Sequence, residues 1–262
     1  MATVAEQGTR IGLGPLTGQV AVVTGAARGI GAAIARELGA CGAHLVVNYA
    51  SSAGPAAALV EELTAEGRGT EALAVRADVA DEGQARRLLA EAHGRFGRVD
   101  ILVNNAGITR DKTARKLSGE DWRGVLDTNL SGAFYCAQAA LGPMLAGGGG
   151  RIVNIGSVIG LSGNIGQANY AAAKAGLVGL TKALALELAR HNIPVNCVAP
   201  GYVATEMVLA VPETIREQLV ARIPLRRLGA AEEIAKAVRY LCVDGAYITG
   251  ATLNINGGLY LQ

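Results

Sequence analysis

The chain has 262 residues, half of them hydrophobic, which can bury a large core and suits one α/β domain better than two small ones. Its formal net charge is +2, and basic residues cluster only in pairs such as Arg86-Arg87 and Arg226-Arg227, so no cationic stripe points to nucleic acid. No apolar run reaches the roughly 18 residues of a membrane span, and the first residues lack a basic start followed by an apolar stretch, so no membrane partner is expected and the cytoplasm is the expected location.

Residues 1–17 read as a polar, Gly-rich arm, and 18–262 as a single domain with no linker. Short β-branched runs at 20–23, 44–48, 72–76, 101–104, 151–155, 193–198 and 251–255 predict strands. Most are apolar throughout, as strands buried on both faces of a parallel sheet are. Between them 31–40, 55–66, 81–96, 120–146, 167–191 and 231–241 read as helices. This alternation predicts an α/β fold: a doubly wound, seven-stranded parallel sheet with right-handed crossovers and helices on both faces. The ligand site of such a sheet lies beyond the carboxyl ends of its strands. The long connection at 201–225, with a helical piece around 212–222, is expected to form a flap over it.

The turn from the first strand to the first helix reads Thr24-Gly25-Ala26-Ala27-Arg28-Gly29-Ile30-Gly31, a GxxxGxG spacing. Its glycines let the backbone approach a pyrophosphate, and the helix start offers free N–H groups and a positive dipole end. A glycine turn of this kind also occurs for purely local reasons. The second strand ends Asn48-Tyr49-Ala50-Ser51-Ser52, with no carboxylate to select an unphosphorylated ribose. Arg28, Ser51 and Ser52 offer charge and hydroxyls to a 2′-phosphate, so the pattern favours NADP(H); alternatively Arg28 is a solvated surface residue. Asp78 either accepts from an adenine amino group or caps the next helix, for which Asp81 is better placed.

Tyr170 and Lys174 stand four apart with only alanines between, on one face of a predicted helix. A nearby ammonium is expected to lower the phenol's pKa and make it a general acid–base group. Taken alone, the spacing is also that of an ordinary surface pair. Ser157, thirteen positions earlier at the end of the fifth strand, brings a second hydroxyl to the same rim; it could equally bond its own backbone. Asn129 interrupts the long predicted helix and either serves the backbone or holds a water near Lys174. The three histidines show no metal spacing, so no metal is expected. Neither GxSxG nor GxxxxGK[ST] occurs around these residues or elsewhere. Cys41, Cys136, Cys197 and Cys242 are far apart and read as small buried hydrophobes.

Seven motifs in order, TGAARGIG (24–31), DV (78–79), NNAG (104–107), TNL (128–130), GSV (156–158), YAAAK (170–174) and PG (200–201), resemble the classical short-chain dehydrogenase/reductase family from about Thr17 to the end. The resemblance implies a single-domain Rossmann fold and a catalytic set of Asn129, Ser157, Tyr170 and Lys174. Tyr170 would protonate the substrate oxygen, Lys174 would bind the nicotinamide ribose, Ser157 would hold the carbonyl and Asn129 would keep a relay water. It further implies cofactor contacts at Gly25, Arg28, Gly29, Ile30, Gly31, Ser51, Ser52, Asp78, Val79, Asn105, Ala106, Gly107, Pro200, Gly201, Val203 and Thr205, with Asn104 bracing the sheet. Segments 104–111, 166–176 and 255–258 are similar to bacterial 3-oxoacyl-acyl-carrier-protein reductases, and 201–208 with 223–229 look as much like acetoacetyl-CoA reductases. Both reduce a 3-oxoacyl thioester to the (3R)-hydroxy product; other members reduce ketones, sugars or polyols, and a non-catalytic NADP-binding regulator is a further alternative. An acyl carrier protein is an expected partner only in part: Arg190 and His191 stand at one place where such reductases carry basic residues, but 147–150 is glycine at the other. Family members are usually homotetramers.

Overall fold

The computed structural model describes residues 14–65 and 69–261. Its strands are β1 Val20–Val23, β2 His44–Tyr49, β3 Ala72–Arg76, β4 Ile101–Asn104, β5 Arg151–Ile155, β6 Val195–Pro200 and β7 Thr252–Ile255. They form one parallel sheet in the order β3-β2-β1-β4-β5-β6-β7. The helices are α1 Gly29–Ala40, α2 Ala53–Ala65, α3 Glu82–Phe96, α4 Gly119–Leu126, α5 Gly132–Ala146, α6 Val158–Ser162, α7 Ala168–Leu188, α8 Glu206–Leu209, α9 Glu213–Arg222 and α10 Ala231–Val243.

The two-residue period of a strand divides the core into two layers. Ala21, Val23, Leu45, Val47, Ile101 and Val103 face Ile34 and Leu38 of α1, Leu59 of α2 and Ile234 of α10. Val20, Val22, Val46, Leu102 and Ile152 face Leu88 of α3, Met144 of α5 and Leu188 of α7. This is why the strands read as unbroken apolar runs. The four cysteines are buried and unbridged, Cys41 and Cys242 in the first layer and Cys136 in the second.

Local signals set the helix limits. Asp81 accepts from the Gln84 N–H at 2.8 Å to start α3, and Gly97 stops it with a φ of 74°, a conformation disfavoured for other residues. The predicted helix over 120–146 is instead α4 and α5 joined by a wider turn over Asp127–Ser131, where the Gly132 N–H donates to the Asp127 carbonyl. Such single π turns often mark functional sites, and this one holds Asn129, 1% exposed. The short α6 was not expected, since five residues carry no readable period.

The arm read at 1–17 lies outside the described residues up to position 13. Residues 14–17 form a turn docked on the end of α1: the Leu16 N–H donates to the Cys41 carbonyl at 2.9 Å and the Leu16 side chain enters the core. Among the described residues, no helix is long and apolar enough to cross a membrane.

Strand order reverses beside β1, which pairs with β2 on one side and β4 on the other. The chain leaving the carboxyl ends of β1 and β4 diverges there and opens a crevice.

Candidate active site

A cavity of about 730 Å³ occupies that crevice. Of the residues expected to contact a cofactor, all line it except Lys174 and Pro200. Thr128, Ser157, Val158, Ile159 and Gln167 close one side, and the start of the 201–225 connection, with Tyr202, Val203, Thr205, Glu206 and Val208, forms the wall opposite.

The glycine end is an anion cradle. Arg28 precedes α1 in extended conformation with no side-chain cap, and the first turn has no acidic residue. The first N–H groups of α1 therefore keep their capacity for a ligand. Gly25, at φ 60°, passes so close to the next loop that a Cβ would sit 2.9 Å from the Ala106 Cα. A Cβ on Gly31 would lie 2.5 Å from Asn105 Nδ2 and 2.6 Å from the Gly25 carbonyl oxygen.

Two side chains that sequence reasoning passed over fix this cradle. Asn48, 1% exposed, accepts from the Gly25 N–H at 3.1 Å and donates to the Val75 and Ala77 carbonyls, tying β1, β2 and β3 together at the rim. Thr24 Oγ1 accepts from the N–H groups of Asn105 and Ala106 at 2.9 and 3.0 Å, and Asn105 Nδ2 donates back to the Thr24 carbonyl at 2.9 Å. The only hint in the sequence is a polar residue at the end of each apolar run. Asp78 accepts from the Ala80 N–H at 3.0 Å and lines the cavity, while Asp81 takes the cap.

At the other end α7 carries Tyr170 in its first turn and Lys174 one turn on. Ser157 caps α6, accepting from the Ile159 N–H at 3.1 Å, and lines the cavity with Tyr170, whose phenol it acts on. It thus serves its own backbone and the site together. Lys174 is 4% exposed and turned inward: Nζ donates to the Ile155 carbonyl at 2.7 Å and lies 5.7 Å from the centroid of the Tyr170 ring. The two groups meet as expected, but the titration differs from the expectation. Burial raises the Tyr170 phenol above its ordinary value; Ser157 works against this and the Asp111 carboxylate adds to it. The ammonium lies over the ring, and burial lowers its own pKa to about 8.

Asn129 does not reach the cavity. Its Oδ1 accepts from the Ile108 N–H at 2.8 Å and its Nδ2 donates to the Ile108 carbonyl at 3.0 Å, so it clamps the loop after β4. Both amide groups are engaged by backbone, the first of the two roles read for it. Pro200 ends β6, buried behind Gly201.

The family model described as short chain dehydrogenase matches residues 19–216. The chain belongs to the short chain dehydrogenase family. This short chain dehydrogenase is 49% identical over 248 residues to the 3-oxoacyl-[acyl-carrier-protein] reductase of Synechocystis, covering 94% of this chain and 98% of that one. It is 47% identical over 245 residues to the enzyme of that name from Escherichia coli, and 47% over 242 residues to that from Staphylococcus aureus. These alignments cover 93% and 92% of this chain, and 98% of each relative.

In this short chain dehydrogenase α7 is pinned by a buried polar chain. Asn104 Nδ2 donates to Asn154 Oδ1 at 2.9 Å, Asn154 Nδ2 to Thr181 Oγ1 at 2.9 Å, and the Thr181 hydroxyl to the Leu177 carbonyl at 2.7 Å. Asn104 thus joins β4 to β5, and Asn154 joins β5 to α7. The basic pair Arg190-His191 lies elsewhere: it follows the last residue of α7, and Tyr170 is in the first turn, about 30 Å away for a helix of this length. Within one chain the pair is not at the cavity mouth, because α7 runs the full depth of the sheet.

Substituting Gly31→Ala tests the cradle. The methyl must displace the Asn105 amide and the Gly25 carbonyl, a strain of about 1–3 kcal/mol. A melting temperature lower by several degrees is expected; an unchanged one would show that the turn can relax freely.

Proposed function

We propose that this chain is an NADP(H)-dependent oxidoreductase that reduces a 3-oxoacyl thioester, carried on coenzyme A or an acyl carrier protein, to the (3R)-3-hydroxyacyl thioester. One observation carries the reading: an anion cradle and the Ser157 and Tyr170 hydroxyl residues line one cavity, with the buried Lys174 ammonium 5.7 Å from the Tyr170 ring. They do so in a chain that aligns over nearly its whole length with 3-oxoacyl-[acyl-carrier-protein] reductases.

The residues present fit the dinucleotide. The close approach at Gly25 and Gly31 leaves backbone, not side chains, facing a pyrophosphate. Gly25, Gly29, Ile30 and Gly31 would hold the phosphates, Asp78 and Val79 the adenine, and Asn105, Ala106 and Gly107 the middle. Gly201, Val203 and Thr205 would border the nicotinamide, with Pro200 setting the turn behind them. Bound NADPH supplies the hydride. Tyr170 releases its phenolic proton to the substrate carbonyl oxygen as that oxygen gains charge. Its raised pKa keeps the proton in place at neutral pH until then. Ser157, which lines the cavity with Tyr170, shares the same oxygen. Lys174, below a pH of about 8, supplies positive charge to the phenolate that remains. Asn129 serves by holding the Ile108 loop against the site.

Arg28, exposed at the cavity wall beside Ser51 and Ser52, is the group available for a 2′-phosphate. Arg28→Ala is expected to raise the KM for NADPH about tenfold, which is ~1.4 kcal/mol, and to leave that for NADH unchanged. Equal changes for both would refute the assignment.

Exposed apolar side chains on α5 and α7, Phe134, Leu145 and Leu186, the last 85% exposed, support assembly into a homotetramer. The direct test is to mix protein, NADPH and acetoacetyl-CoA and to follow oxidation of the nicotinamide and the chirality of the product. Binding of NADPH without turnover of any 3-oxoacyl thioester would replace this reading with that of a regulator. Comparing one acyl group on coenzyme A and on carrier protein assigns the carrier.

A further inference from the structure

An exposed carboxylate, Asp111, is bonded to a residue of the cavity wall. Asp111 lies beyond β4, far from α7 in sequence, yet Gln167 Nε2 donates to its Oδ2 at 2.9 Å. Gln167 is the residue before α7, three positions from Tyr170, and lines the cavity with it. Its own Oε1 accepts from Asn164 Nδ2 at 2.8 Å, so the amide is fixed at both ends. The loop carrying Asp111 is tied to the same helix start on either side. The buried Asn169 donates to the Arg110 carbonyl at 3.1 Å and the Asp121 carbonyl at 3.2 Å, and the Lys112 N–H donates to the Gly166 carbonyl at 2.9 Å. The helix itself starts without a side-chain cap. The arrangement ties one negative charge to Gln167, which lines the cavity three positions before Tyr170.

The charged and titratable groups around Tyr170 are few. Lys174 lies on its own helix, and Cys197 of β6 is close enough to interact with that ammonium. From the loop after β4, Asp111 acts on the phenol, while Lys112 is neutralised by Asp121 at 2.7 Å and Arg110 turns back to the Thr109 carbonyl.

We propose that Asp111, held by Gln167 at the start of α7, is a positioning residue for the proton donor, its negative charge opposing that of the Lys174 ammonium. The pair keeps the hydroxyl protonated for donation and fixes the amide that borders the substrate side of the cavity. This rests on the reading of Tyr170 as the proton donor.

The test is a titration of the Tyr170 phenolate by absorbance, taken as the difference between each protein and its Tyr170→Phe counterpart. It needs no turnover, so it is independent of the proposed activity. Asp111→Asn keeps an acceptor for Gln167 but removes the charge. It should move the midpoint down by about half a unit, the scale of one partly solvated charge, and Asp111→Glu should restore it. Gln167→Ala, which frees the carboxylate without removing it, should give a smaller shift in the same direction. In the oxidative direction, where phenolate is needed, Asp111→Asn should bring the rise of rate with pH to lower pH. A midpoint equal to wild type in both Asp111→Asn and Gln167→Ala overturns the inference, whereas absence of any wild-type turnover overturns only the proposed function.

Discussion

Replacing Tyr170 with phenylalanine should lower kcat by about 10²–10⁴-fold, the usual contribution of a positioned proton donor, while NADPH still binds. The ring stays, so the packing at the start of α7 and the contact with Lys174 are retained. What is lost is one hydroxyl and the proton it carries. Fluorescence titration with NADPH and the thermal transition should therefore match wild type closely, and the loss should appear in single-turnover rates. A variant that kept more than about a tenth of the rate would mean that the proton comes from elsewhere, since a tenfold change is only ~1.4 kcal/mol.

Lys174→Met should cost about 10²–10³-fold in kcat, comparable to removing one preorganised electrostatic donor. The same residue sets a pH dependence. Burial lowers its pKa to about 8, so it is charged below that value and neutral above it. Reduction should then fall as pH rises through about 8, because the phenolate left by proton transfer loses its counter-charge. Lys174→Arg, whose guanidinium stays protonated, should abolish this fall whatever its absolute rate. Measuring kcat against pH for the three proteins decides the matter; an identical alkaline limb in wild type and Lys174→Arg would assign the titration to another group. The Ile155 carbonyl that loses its partner in Lys174→Met makes a thermal-stability control necessary.

The strands were legible because a sheet covered on both faces makes every position apolar, and β1, β4 and β5 fall where the runs are. The cradle was legible because Gly25 and Gly31 stand where backbone must touch backbone. Tyr170, Lys174 and Ser157 were legible as a constellation, not as geometry. A four-residue spacing says that two side chains share a face; it does not say that the phenol is desolvated, which raises its pKa, or that the lysine turns in to the Ile155 carbonyl. Asn48 and Asp111 were passed over since their partners lie 23 to 56 positions away, beyond any local pattern. The break in the long helix at Asn129 was seen, but its nature was not: one extra residue per turn over Asp127–Ser131 hardly alters the apolar period.

The line of hydrogen bonds from Asn104 through Asn154 to Thr181 lies beneath the chemistry and touches none of the loops that shape the substrate pocket. Its geometry allows one seating of the catalytic helix, because any slide along the sheet would leave amides stranded in a dry interior. Lineages of this protein could thus rebuild the 158–167 and 201–225 loops for new acyl groups while the machinery that delivers the proton stays in register. Directed evolution of substrate choice should find its tolerant positions in those loops and its lethal ones along that spine.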